Sequence, residues 1–177
     1  MKDEEMQKNK LIELAKVLVS TLQEEISYQK KLLSLGMAKR EGLVKVDIKK
    51  VEDSTLNEEG LLLSLGNVAE KRIRLITEIA DMLALNQDNV SVNNIAAYVG
   101  EPYKSQLLSI SSELKSVIKE VSRVNKQNKL LSEQSLFHIK EFFRILSGEE
   151  ESDTAYTRRG VEKKSAPLHR VIIDQVA

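Results

Sequence analysis

The 177-residue chain has only two prolines, Pro102 and Pro167, so residues 1–101 carry none. Proline lacks the backbone donor that a helix interior needs and clashes with the preceding turn, so a stretch this long without it leaves room for unbroken helices. The apolar residues use that room. Leu107, Ile110, Leu114, Val117, Val121 and Val124 alternate at spacings of three and four, the pattern of a helix that turns one seam toward partner helices. A similar stripe of Leu11, Leu14, Leu18, Leu22, Ile26, Leu33 and Leu35 marks a segment from about residue 3 to residue 40. Another, of Ile48, Val51, Thr55, Leu62, Leu65, Ala69, Ile76, Ile79 and Leu83, follows Asp47.

The residues between these stripes predict where each helix ends. Gly36 and Gly42 weaken the end of the first segment, with a turn expected near "EGLVKVD". Asp47 is a good N-cap for the second, and Val46 and Val51 occupy the two positions of a hydrophobic staple. Gly60 and Gly66 inside that segment each cost helix stability of about 1 kcal/mol relative to alanine. "LNQDN" closes it. Ser91 caps a short helix over "VNNIAAYV", Gly100 ends it, and a third long segment runs from about Tyr103 to Ser147 before Gly148. Helices of this kind are on the order of 55–65 Å long at 1.5 Å per residue. Their seams must be buried against one another, and short turns force antiparallel neighbours. The expected fold is all-α: an elongated antiparallel bundle of three long helices plus one short helix, over residues 1–147.

Residues 148–167, "GEEESDTAYTRRGVEKKSAP", are polar, with blocks of mixed charge and no apolar period. They predict a flexible C-terminal tail over 148–177. Within it "LHRVIIDQVA" regains apolar Leu168, Val171, Ile172, Ile173 and Val176. Alone it is too short for a stable helix, which leaves it a docking segment or a frayed end.

Several chemistries are disfavoured. The absence of cysteine removes disulfides, thiolate catalysis and Cys-based zinc sites. Twenty-seven basic residues balance 27 acidic ones, and the one basic cluster, "YTRRGVEKK", follows "EEESD", so no nucleic-acid partner is expected. The start "MKDEEMQKNK" lacks the apolar core of a signal peptide, and no apolar run is long enough to span a bilayer. A cytoplasmic protein without membrane insertion is expected. There is no glycine-rich phosphate loop and no Glu-x-x-His pair, and His138 and His169 lie far apart. Neither an enzyme nor a metal or other cofactor is expected. Glu-rich "EEIS" and "GEEES" read as solvated faces or linker, and Arg72 and Arg74 as surface or snorkelling residues.

Continued in register, the clean seam meets Asn128, Leu131, Ser135, His138, Phe142 and Ile145. It turns polar where Phe137, Ile139, Phe143 and Leu146 appear off it. A polar seam residue can fix register at a cost in stability, which accounts for Asn128 but not for the other faces. Phe142, on the seam, is the aromatic residue most expected in the core. Apolar residues on several faces are either covered by the other helices or form an exposed partner site, suited to an amphipathic helix of another protein.

These residues resemble the FlgN-like flagellar export chaperones. The likeness rests on "VNKQNKLL", with Asn125-x-x-Asn128-x-x-Leu131, and on "TAYTRRG", with Thr154-x-Tyr156 and Gly160. "AKREGLVKVDIKKVED" and "EKRIRLITEI" are similar to the family's first helical turn and the close of its second helix. The resemblance implies a cytosolic helical chaperone. Its clients would be hook–filament junction (hook-associated) proteins, held soluble and unpolymerised and delivered to the cytosolic domain of the type III export gate. It implies client binding by the C-terminal half, here Asn125, Asn128, Leu131, Phe137, Ile139, Phe142, Phe143 and Leu146, and gate docking through Tyr156 and Gly160. Apart from the resemblance, Leu168, Val171, Ile172 and Ile173 remain either a client-docking tail or a frayed end. Thr157 stands where a glycine often follows the tyrosine, and the chain continues past Gly160 to an apolar stretch. A structural coiled-coil scaffold, homodimeric or not, and a regulator of the export ATPase are the competing readings.

Overall fold

The structure, a computed structural model, describes residues 2–85 and 90–147. Four helices follow in order, α1 (Lys2–Lys45), α2 (Ile48–Met82), α3 (Val92–Tyr98) and α4 (Tyr103–Ser147). No strand occurs among the described residues. The all-α bundle expected from the seams is present. The chain divides into two compact units, one through Leu131 and one from Ser132 onward, so α4 contributes to both.

In the first unit α1 and α2 are antiparallel, because Arg72 reaches back to Glu25 while Lys39 meets Glu58. The first part of α4 runs in the direction of α1, with Lys30 bonded to Glu113 and Arg40 to Gln127. The core gathers Leu18, Leu22 and Ile26 of α1, Ile79 of α2, Ile95 of α3 with Val99 just after it, and Leu107, Ile110 and Leu114 of α4. Short α3 thus supplies part of the core alongside three long helices. Its cap is the expected one: Ser91 accepts from the Asn94 amide through its side chain.

The α1–α2 turn departs from expectation at three residues. α1 does not weaken at Gly36 and Gly42 but continues to Lys45. Both glycines are points of close approach instead. A Cβ on Gly42 would lie 2.9 Å from Val51 Cγ2 and 3.2 Å from the Asp47 oxygen and the Val51 nitrogen. Val46 does not staple the helix: it is 79% exposed and has a left-handed backbone, φ 56°. The Asp47 amide donates to the Gly42 carbonyl at 2.8 Å and the Val46 amide to Leu43 at 3.4 Å. This is the helix-ending motif that normally places glycine at the left-handed position. Asp47 then caps α2, accepting from the Lys50 amide at 3.0 Å as its sequence position suggests. α2 ends the same way. The Leu85 amide donates to Ala80 and the Ala84 amide to Asp81, with Ala84 at φ 51°.

The glycines and these left-handed residues give opposite expectations. Val46→Gly and Ala84→Gly relieve backbone strain and are each expected to stabilise the protein by about 1 kcal/mol. Gly60 and Gly66 face open space, so alanine at either is expected to add about 0.5–1 kcal/mol. Gly42→Ala presses on backbone atoms that cannot step aside and is expected to destabilise. Urea denaturation of the five variants checks the four gains and the one loss.

Charge placement also differs from the sequence reading. Glu25 of "EEIS" is buried, 3% exposed, and Arg72 Nε donates to it at 2.7 Å. Neither residue is part of a solvated face. Arg72 lies on the α2 seam because its partner lies inside, and a carboxylate taken from water needs a charged, hydrogen-bonded companion. Beside the turn, exposed Glu41 accepts from Lys45 at 2.8 Å and Lys50 at 2.6 Å. The hydrogen bond from Lys45, then that from Lys50, lowers its pKa to about 2. The same bond to Glu41 raises the pKa of Lys45. A depressed carboxylate pKa means the clamp is intact above the ordinary value of 4.5 and is lost as pH falls toward 2. An NMR titration of the Glu41 carboxylate is expected to show the low midpoint at low salt and a rise on adding sodium chloride, because exposed pairs are screened.

Candidate functional site

The α4 seam stays buried further than its polar residues suggest. Leu107, Ile110, Leu114, Val124 and Asn128 all lie inside. Asn128 is 5% exposed, and its Nδ2 donates to the Gly36 carbonyl of α1 at 2.8 Å. Gly36 makes this contact possible, because a Cβ there would come within 3.0 Å of Val124 Cγ1. Asn128 is therefore a register-setting contact inside the first unit. Asn125 is exposed and Leu131 half-buried.

Beyond Leu131 burial ends. The seam positions Ser135, His138, Phe142 and Ile145 are all exposed. All three phenylalanines of the chain lie here. Phe137, Phe142 and Phe143 are 60%, 59% and 63% exposed, so Phe142 is not the core residue its seam position predicts. Ile139 and Leu146 are exposed as well. So are Leu130, Leu136 and Ile145, which the sequence reading did not place in the site. The density of apolar residues over 130–146 was the signal that could have included them. Phe142 and Phe143 meet edge to face at 6.1 Å, and Phe137 meets His138 at 5.8 Å. Arg144 Nη2 donates to Glu141 at 2.9 Å. At 100° per residue, Leu131, Leu136, Ile139, Phe142, Phe143, Ile145 and Leu146 fall within roughly half of the helix circumference. Monomeric proteins rarely leave apolar surface of this density uncovered.

A second apolar surface lies within the first unit. Leu32, Leu62, Leu65, Ile118 and Val121 line an open groove of about 400 Å³, rimmed by Gln29, Glu58, Ser122 and Asn125. Among the sequence-derived site residues it holds only Asn125. Tyr156, Gly160, Leu168, Val171, Ile172 and Ile173 lie outside the described residues, as does the whole of 148–177. Among the described residues no three His, Asp or Glu side chains are grouped to hold a metal ion. No described helix is long and apolar enough to cross a membrane.

A protein-family model described as FlgN protein matches residues 6–164 of the 177. No curated protein and no solved structure matches the chain significantly. The match takes in the whole of α2 and α3, both apolar surfaces, the Asn125-x-x-Asn128 pair and Tyr156. With four helices and an uncovered helical apolar sector behind it, this match places the chain in the FlgN family of flagellar export chaperones.

Proposed function

We propose that the chain binds hook–filament junction proteins in the cytoplasm, keeps them soluble and unpolymerised, and delivers them to the cytosolic domain of the flagellar export gate. The observation that carries this reading is the exposed aromatic and aliphatic sector of α4 over residues 130–146. Subunits that assemble through terminal helices carry sticky apolar surface before assembly, and a helical face can cover it. Phe142, Phe143 and Leu146 are the anchors, with Leu131 and Ile139 beside them, while exposed Phe137 stands on the opposite side of the helix. Large aromatic anchors in such a face are worth on the order of 1–3 kcal/mol each on truncation. Asn125 lies apart from them on the groove rim, and Asn128 acts by holding α4 against Gly36. A scaffold built only to pack against itself would keep its seam covered along the whole helix. The end of burial after Leu131 favours a chaperone over that reading.

A pull-down from lysate followed by mass spectrometry tests the client. Junction proteins should be recovered with the native chain and lost with Phe142→Ala/Phe143→Ala. Recovery of the export ATPase instead would favour the regulator. Gate delivery belongs to Tyr156 and Gly160 in this reading. Tyr156→Ala is expected to retain client binding yet lose association with the gate's cytosolic domain, measured by co-purification. Unchanged gate association would sink that assignment.

A further inference from the structure

The open groove of the first unit has the build of a seat for a fourth helix. Its floor is Leu32 of α1, and its walls are Leu62 and Leu65 of α2 and Ile118 and Val121 of α4. Both walls stand on α1. Arg72 and Glu58 tie α2 to Glu25 and Lys39, while Glu113 and Gln127 tie α4 to Lys30 and Arg40. Leu62 and Ile118 are left 54% and 42% exposed. From Ile118 to Asn125 the groove extends about 10 Å, two turns of a docked helix.

The two walls carry opposite charge. Between residues 51 and 70, α2 has five acidic residues and no basic one, and between 114 and 129, α4 has five basic residues and one acidic. Glu52 and Glu59 fall about 60–80° outward of Leu62 on α2, and Lys115, Lys119 and Lys126 about 60–100° outward of Ile118 on α4. All five are exposed, and none has an ion pair among the described residues. Glu58, deeper in the groove, is matched by Lys39 at 2.7 Å, and Glu70, on the row of Glu52 and Glu59, by Arg74 at 3.1 Å. Gly66 lies on the same edge of α2, with nothing within 4 Å of where its Cβ would be, so a neighbouring backbone can come close there.

We infer that the groove seats one amphipathic helix of a partner protein, with its apolar stripe on Leu62 and Ile118, its basic flank along α2 and its acidic flank along α4. A helix laid the other way would set like charges side by side, so the two edges also fix its direction. A second copy docked through the same face would bring concave surface to concave surface and leave both volumes unfilled. On the reading proposed above, the helix belongs to the client and is a different one from that on the α4 sector.

Three fluorescent peptides of about four helical turns, each held helical by a side-chain staple, test the site on the full-length chain by anisotropy. All share one leucine stripe. The first has lysine on one flank and glutamate on the other, the second lysine on both, the third glutamate on both. The mixed peptide is expected to bind about tenfold tighter than either of the others at low salt, with the gap shrinking as sodium chloride is added. Glu52→Lys/Glu59→Lys makes both edges basic and should shift the preference to the all-glutamate peptide, with the thermal midpoint unmoved. Leu62→Ser/Ile118→Ser should weaken the mixed peptide by about tenfold or more. Equal binding of the three peptides, or a preference that the charge reversal does not move, overturns the inference. So does a chain that sediments as a dimer and loses the dimer with Leu62→Ser/Ile118→Ser. A purified junction protein that binds the chain should displace the mixed peptide, and binding without displacement overturns the assignment of the helix to the client. If no junction protein binds, the client reading fails while the peptides still decide the groove.

Discussion

Phe142→Ala/Phe143→Ala is expected to weaken client binding by about a hundredfold or more while leaving the thermal midpoint nearly unchanged. Each ring leaves a large apolar area to be covered by a partner, and two losses of about 1.5 kcal/mol compound to that factor. The fold should not notice, because neither side chain is buried: both are about three-fifths exposed, and they touch each other edge to face. Calorimetric titration with a purified junction protein and a thermal melt on the same sample separate the two effects. A melt that falls by many degrees would mean the rings are covered within the chain. An affinity that does not move would put the client elsewhere, with the groove beside Leu62 and Ile118 the next surface to mutate.

Ile79→Ala is expected to do the reverse. Ile79 is fully buried within the cluster shared by α1, α3 and α4, so truncation removes apolar contacts and leaves a cavity. Substitutions of this kind cost about 2–5 kcal/mol, which lowers the melting midpoint of a domain this size by on the order of 10 °C. Below the new midpoint the folded fraction should bind the client with native affinity, since the substitution lies in the first unit and the aromatic sector in the second. A stability change under about 1 kcal/mol would show that the site collapses around the smaller side chain.

The helices, their order and two of their starting caps were legible in the chain alone. Helical periodicity is a local property: residues three and four apart share a face whatever lies opposite. Caps are local too, since Asp47 and Ser91 each satisfy an amide three residues on. What the sequence could not decide is which faces find a neighbour. Phe142 continues the seam of Leu114 and Val124 in perfect register, yet it is exposed while they are buried, because periodicity says which residues share a face and not how far along the helix that face is covered. The small and polar residues follow the same logic. Gly36 and Gly42 read as helix-weakeners until another segment comes within about a van der Waals contact of each. Asn128 reads as a register-fixing seam residue with no partner named, and Glu25 as a solvated charge, until Gly36 and Arg72 are brought to them across 92 and 47 residues of sequence. A polar group's meaning depends on whether its partner is water or protein, and only the tertiary structure supplies the partner.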